Sequence, residues 1–270
     1  MKIKTLRLRR IIRHQSRNTF ILALDHGFTL GPIQGLGKIH PLLEQLTQED
    51  CVDAIVVHRG ILTHAVHILA EKRYPAVLMH LSGSTMLSPD PLNKRLVSSV
   101  KQAVRLGADG VSVHMNVGSS RDVRMYEEIG RVSEACERWG MPLLIMSYPR
   151  GKKIDNEYGE EYILHAVRIA AELGADIIKT NYPGSPQAFR RVAESVDVPV
   201  VIAGGCKTNG ETPFLTTIQG ALKAGGRGVA IGRNVFQHDD PLAMCRKIAH
   251  IVHGKPENIE LDIRHKDSAS

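Results

Sequence analysis

Ala171-Glu172-Leu173-Gly174-Ala175-Asp176-Ile177-Ile178-Lys179-Thr180-Asn181-Tyr182 closes an amphipathic segment on a glycine and passes at once into a short aliphatic run. Glycine is favoured just past a helix C-terminus because it accepts the left-handed conformation there. The stretch therefore reads as helix, tight turn, buried strand. The same passage recurs twice, as Ala103-Val104-Arg105-Leu106-Gly107-Ala108-Asp109 and as Ala221-Leu222-Lys223-Ala224-Gly225-Gly226. Repeated turns from a helix into an aliphatic strand are the αβ connections at one end of a parallel sheet.

On either side of this stretch, and including it, strand patterns cover residues 20–27, 54–60, 76–83, 110–118, 142–151, 176–182, 199–205 and 228–234. Helical patterns fill the intervals, for instance 121–139 and 160–173. Eight alternations of strand and helix in a chain of 270 residues predict a closed α/β architecture, a (β/α)8 TIM barrel. The competing fold, an open doubly wound sheet, carries a glycine-rich dinucleotide fingerprint after its first strand, and Asp25-His26-Gly27-Phe28-Thr29-Leu30-Gly31 does not match it. The expected organisation is a basic arm over residues 1–19, one catalytic barrel over 20–255 and a polar tail over 256–270.

The net charge of +7 sits in the arm, where Lys2, Lys4, Arg7, Arg9, Arg10, Arg13 and Arg17 have no acid among them. Taking those seven from the 35 lysines and arginines leaves 28, equal to the 28 aspartates and glutamates. No aromatic residues interleave with the basic ones, so a solvated helix at the barrel bottom or a subunit surface is expected, not a nucleic-acid contact. No apolar run has membrane-spanning length, and no cleavable leader is legible, so a cytoplasmic protein is expected. The four cysteines, Cys51, Cys136, Cys206 and Cys245, form no CxxC pair and are expected to be reduced.

In such a barrel the active site is built from the C-terminal strand ends. Polar residues collect there: Asp25 and His26, His58 and Arg59, His80 and Ser82, His114 and Asn116, Ser147, Tyr148 and Arg150, Lys179 and Asn181, Lys207, Arg233 and Asn234. Lys179 lies in an otherwise apolar run, with Ile177 and Asn181 expected on the same interior side. Lysine is seldom taken out of water, and desolvation favours the neutral amine, a nucleophile able to form a Schiff base with a carbonyl. Otherwise the amine would snorkel to solvent or pair with a carboxylate. Gly204 and Gly205 after the seventh strand, with Gly232, Arg233 and Asn234 after the eighth, resemble a phosphate cradle and predict a phosphorylated metabolite.

Tyr148 is the candidate proton shuttle, or a structural tyrosine at the rim. Asp25 is a candidate base, a hydrogen-bonding partner for lysine and substrate, or a turn cap. His58, His80 and His114 with Asp25 offer a competing reading, a divalent-metal site that would polarise the same carbonyl. No HxH or HxxxH spacing concentrates those ligands, and no metal or other cofactor is expected.

Together, Asp25-His26-Gly27, His80-Leu81-Ser82-Gly83-Ser84-Thr85, His114-Met115-Asn116-Val117-Gly118-Ser119, Tyr148-Pro149-Arg150-Gly151, Ile178-Lys179-Thr180, Ala203-Gly204-Gly205-Cys206-Lys207-Thr208 and Gly232-Arg233-Asn234 resemble the archaeal-type class I fructose-bisphosphate aldolase family. Within it they look most like the 2-amino-3,7-dideoxy-D-threo-hept-6-ulosonate synthase branch and bacterial relatives that use aspartate semialdehyde. Cys206 stands where that family usually has proline.

The resemblance implies that Lys179 carries the imine, with Tyr148 and Asp25 moving protons and Gly204, Gly205, Gly232, Arg233 and Asn234 holding a phosphate. His26, His114, Arg150, Lys207 and Ser82 are expected around the substrate, with Lys152 and the loop 82–88 near the acceptor's polar end. The implied substrates are a phosphorylated keto donor and an aldehyde acceptor, with fructose 1,6-bisphosphate cleavage as the alternative activity and a homo-oligomer as the expected assembly.

Overall fold

The computed structural model describes residues 2–70, 75–207 and 210–254. Among them, eight parallel strands close a barrel: β1 (Thr19–Ala23), β2 (Ala54–His58), β3 (Ala76–His80), β4 (Gly110–Val117), β5 (Leu143–Pro149), β6 (Ile177–Thr180), β7 (Val200–Ala203) and β8 (Gly228–Ile231). Each strand pairs with its sequence neighbours, and β1 meets β8 with Thr19 opposite Gly228. The (β/α)8 expectation holds. Most strands end earlier than their apolar patterns suggest, because residues just past them, such as His26, Arg59 and Arg233, already begin helices.

The three helix-ending glycines have left-handed backbones, with φ of 75° at Gly107, 85° at Gly174 and 98° at Gly225. The aspartates that follow or match these turns have a second task. Asp53 accepts a hydrogen bond from the Phe20 N–H at 2.6 Å, Asp109 from Val77 at 2.9 Å and Asp176 from Leu143 at 2.8 Å. Each carboxylate before an even-numbered strand thus satisfies an otherwise orphaned donor near the start of the preceding one.

The basic segment forms a helix, Lys2–Ile11, across this same end. Ile11 is fully buried in the barrel interior with Ile21, Val56 and Leu78, and Leu8 and Ile12 pack beside it. Lys4 pairs with Asp176 at 2.8 Å, Arg10 with Asp109 at 2.9 Å and Arg13 with Asp53 at 2.5 Å. The charge surplus of the arm is therefore partly spent on the turn carboxylates beneath the barrel. Residues 256–270, expected as a polar tail, lie outside the described residues.

The helices form the outer layer, their apolar faces packed on the outward side chains of the strands; Ile163, Ala166, Val167 and Ala170 bury one side of Glu160–Glu172. No described helix is long and apolar enough to cross a membrane. Cys51 and Cys245, 194 positions apart, are both buried and lie close enough in the closed barrel for each thiol to perturb the other's acidity. At the opposite end, two-residue strands Ser82–Gly83 and Arg95–Leu96 pair antiparallel and fix the loop between them over the mouth.

Candidate active site

The inward face of β6 carries Ile177 and Lys179, two residues apart as the strand period requires, and Asn181 follows just beyond the strand. Lys179 is only 6% exposed and lines a cavity of about 300 Å³ at the C-terminal mouth. Its register partner on β5 is Met146, which also lines the cavity. Tyr148, two residues beyond Met146, reaches the same space; its ring lies 5.0 Å from that of His114 and beneath the Arg150 guanidinium at 4.6 Å.

Asp25, at the end of β1, enters the cavity from the other side. Its Oδ2 lies 3.8 Å from His80 Nε2 and its Oδ1 3.8 Å from His26 Nδ1; Asp25 Oδ1 and His26 Nδ1 have no hydrogen-bond partner among the described residues. Burial by itself would raise the Asp25 pKa, but His80, His26, Lys179 and His58 outweigh it and hold the carboxyl well below the usual carboxylate range. Burial works the other way on the histidines. It pushes His80 down to about 3, His114 well below its ordinary value, and His26 and His58 down as well. The mouth therefore holds an ionised aspartate among neutral imidazoles at pH 7.

The three strand-end histidines do not converge. His80 Nδ1 meets Ser112 Oγ at 2.8 Å, His114 Nε2 meets Asn116 Oδ1 at 3.0 Å, and His58 packs edge-on to His80 at 5.1 Å. Among the described residues, no three histidine, cysteine, aspartate or glutamate side chains are grouped to hold a metal.

The glycine loops after β7 and β8 line the cavity beside Lys179. Gly205 adopts φ +65°, and a Cβ on Gly232 would stand 2.4 Å from His26 Cε1 and 2.6 Å from the Ala23 carbonyl, so that turn admits only glycine. Arg233 also lines the space, and its Nε is buried without a hydrogen-bond partner among the described residues.

Several expected site residues turn out to support the site instead of facing it. Asn234 is buried and its carboxamide donates to the Gly204 and Cys206 carbonyls at 2.8 and 3.0 Å, so it braces the β7 loop from behind. Ser82 is buried outside the cavity lining, and its Oγ accepts from the His114 N–H at 2.8 Å. Lys207 is exposed and donates to the Gln237 carbonyl at 2.7 Å, outside the cavity lining. Lys152 is exposed and also outside it. Arg150 lines the cavity, but its Nε donates to Glu157 at 2.6 Å. Lys94, Thr29, Glu157 and Tyr158 line the cavity and belong to no strand-end motif. Lys94, Glu157 and Tyr158 arrive on loops and Thr29 on the short helix His26–Leu30, and their sequence contexts carry no signal for that placement.

A DeoC/LacD family aldolase model matches residues 19–238. The chain is 42% identical over 250 residues to a 2-amino-4,5-dihydroxy-6-oxo-7-(phosphonooxy)heptanoate synthase of Streptomyces griseus, covering 93% of this chain and 90% of that one. It is 43% identical over 251 residues to a 2-amino-3,7-dideoxy-D-threo-hept-6-ulosonate synthase of Archaeoglobus fulgidus, covering 93% and 91%. Among solved structures it is similar to an archaeal fructose-1,6-bisphosphate aldolase with its catalytic lysine covalently bound to the carbinolamine intermediate. The TM-score is 0.85 with 33% identity over 93% of this chain and 100% of that one.

Proposed function

We propose that this chain, which belongs to the DeoC/LacD aldolase family, is a lysine-imine synthase that joins dihydroxyacetone phosphate to L-aspartate 4-semialdehyde. The observation that carries the reading is the placement of Lys179, a lysine 6% exposed whose side chain lines a cavity shared with the Gly204-Gly205 loop, Arg233 and Tyr148.

The substrates follow from the chemistry in the name of the Streptomyces griseus relative. A 6-oxo group makes C5 the nucleophilic carbon of an aldol reaction, so the bond formed is C4–C5. Cutting it leaves a three-carbon ketone carrying the phosphate and a four-carbon aldehyde carrying the amino and carboxylate groups. These are dihydroxyacetone phosphate and aspartate 4-semialdehyde.

In the proposed reaction the Lys179 amine adds to the ketone carbon, and loss of water from the carbinolamine gives an iminium. The iminium withdraws electrons and acidifies the neighbouring hydroxymethyl carbon, whose proton passes to Tyr148, with Asp25 holding the hydroxyl or relaying the proton. The enamine carbon then bonds to the aldehyde carbon, and the new alkoxide takes up a proton. Water adds back to the iminium, releasing the amine and a seven-carbon product that contains every atom of both substrates. Gly204, Gly205, Gly232 and Arg233 hold the donor phosphate by backbone approach and charge.

The test has two parts. Borohydride reduction of the protein with dihydroxyacetone phosphate, followed by peptide mapping, is expected to give an adduct at Lys179 that Lys179→Arg lacks. Incubation with both substrates is expected to give a product whose mass is their sum. Absence of the adduct rules out the imine. Release of triose phosphates from fructose 1,6-bisphosphate, without formation of the seven-carbon product, assigns the chain to bisphosphate cleavage instead.

A further inference from the structure

Four cationic side chains line the cavity: Lys94, Arg150, Lys179 and Arg233. In the proposed reaction Lys179 is the nucleophile and Arg233 serves the phosphate, while Arg150 is already paired with Glu157. Lys94 is left. It is 7% exposed, and no carboxylate lies within ion-pairing distance of it among the described residues; its Nζ makes only a long contact of 3.4 Å to Thr29 Oγ1.

The position of Lys94 is built, not incidental. It directly precedes Arg95, which pairs with Gly83 in the short hairpin over the mouth. The preceding turn is tied to the barrel by Asn116 Nδ2 donating to the Leu92 carbonyl at 2.7 Å and by Ser84 Oγ donating to the Pro91 carbonyl at 2.6 Å. Burial draws the ammonium pKa down to about 8, with Asp25 opposing and Arg150 adding to the fall, so the group is still mostly charged at neutral pH. A buried cation with no partner is costly to keep, and an anionic ligand removes that cost.

Lys94 also stands in the right part of the mouth. It faces Thr29 beyond β1 and acts on His58, His80 and His114, at or near the ends of β2, β3 and β4. The glycine loops are across the barrel at β7 and β8, with Lys179 on β6 between the two regions. A substrate anchored by its phosphate at β7 and β8, and bonded through its ketone carbon to Lys179, extends its other end toward Lys94.

We propose that Lys94, steadied by Thr29, is the receptor for the carboxylate of the aldehyde substrate and makes an amino-acid aldehyde, not a neutral one, the preferred acceptor. This rests on the acceptor assigned above. The site takes an α-amino carboxylate on a short chain, and Lys94 acts as a specificity-determining residue that takes no part in imine formation.

L-homoserine, which carries the same carboxylate and amine but an alcohol in place of the aldehyde, tests the site without turnover. Calorimetry with the full-length protein and with Lys94→Met is expected to show binding weakened on the order of 10-fold to 100-fold in the variant, the range for loss of one charge-assisted hydrogen bond. Lys94→Arg should recover part of it. Borohydride trapping of dihydroxyacetone phosphate at Lys179 should be as complete in both variants as in the parent, which also reports that they are folded. Equal homoserine affinity in parent and Lys94→Met, or no binding to either, overturns the assignment. Turnover with aspartate 4-semialdehyde is scored separately, so failure of the synthase reading shows up in the product and failure of the Lys94 assignment in the homoserine isotherm.

Discussion

Met146 and Lys179 are register partners on adjacent parallel strands. Strand geometry then places Tyr148, two residues past Met146 on the same face, about 7 Å further toward the mouth. That offset lets Tyr148 and Lys179 enter the same cavity from different heights, and in the proposed reaction the phenol serves the carbon attached to the imine and not the imine nitrogen. Tyr148→Phe is therefore expected to lower kcat by about 10²-fold to 10⁴-fold, the usual worth of a positioned proton-transfer group, while leaving the borohydride adduct at Lys179 intact. Loss of the adduct as well would move the phenol's task to imine formation.

Asn234 is expected to act on donor binding through the loop it braces. Asn234→Ala leaves the part-buried Gly204 and Cys206 carbonyls without their side-chain donor, at about 0.5–1.5 kcal/mol for each hydrogen bond lost. The KM for dihydroxyacetone phosphate should rise by about tenfold or more, with kcat at saturation changed much less. A fall in kcat with unchanged KM would place Asn234 at the reacting atoms.

Ile11 plugs the barrel at the end away from the chemistry. Ile11→Ala should lower the unfolding free energy by about 2–5 kcal/mol in urea titrations, as a buried isoleucine cut to alanine does, and leave kcat/KM unchanged below the melting range. A matching loss of activity in the folded variant would show that the two ends of the barrel are coupled.

Stability should fall with acid. His26, His58, His80 and His114 are all held by burial below their ordinary values, His80 down to about 3. Below about pH 6.5 the unfolded chain takes up protons that the folded one refuses, at about 1.4 kcal/mol per pH unit for each such histidine. Asp25, also depressed, adds a loss of the same sign below about pH 4 as the unfolded carboxylate protonates first. His80→Asn should flatten the slope between pH 6 and pH 4 by one proton's worth, read from urea midpoints at each pH. An unchanged slope would mean that His80 charges while the protein is folded.

The alternation of strands and helices, the left-handed turn glycines and the inward lysine of β6 were all legible in the sequence, because each depends on neighbours a few residues away. The strand-end motifs likewise named most of the mouth, including Asp25, His114, Tyr148 and Arg150. The misplacements share one cause. Asn234 and Lys207 sit in the same motifs as residues that line the cavity, whereas none of residues 80–85 around Ser82 lines it; which way a side chain turns in these motifs depends on partners far along the chain. Gly204 is 30 positions from Asn234, and His114 is 32 from Ser82.

Periodicity and turn chemistry are local, and they are enough to specify the barrel, the end at which its chemistry lies and the lysine at its centre. It took the closed barrel to set Ile11 of the basic segment as a plug at the bottom, to pair that segment's charges with Asp53, Asp109 and Asp176, and to carry Lys94 over the mouth with no counter-ion among the described residues. Those are matters of which charges closure brings together and which it leaves apart. Such distances are set by the folded barrel and not by spacing along the chain.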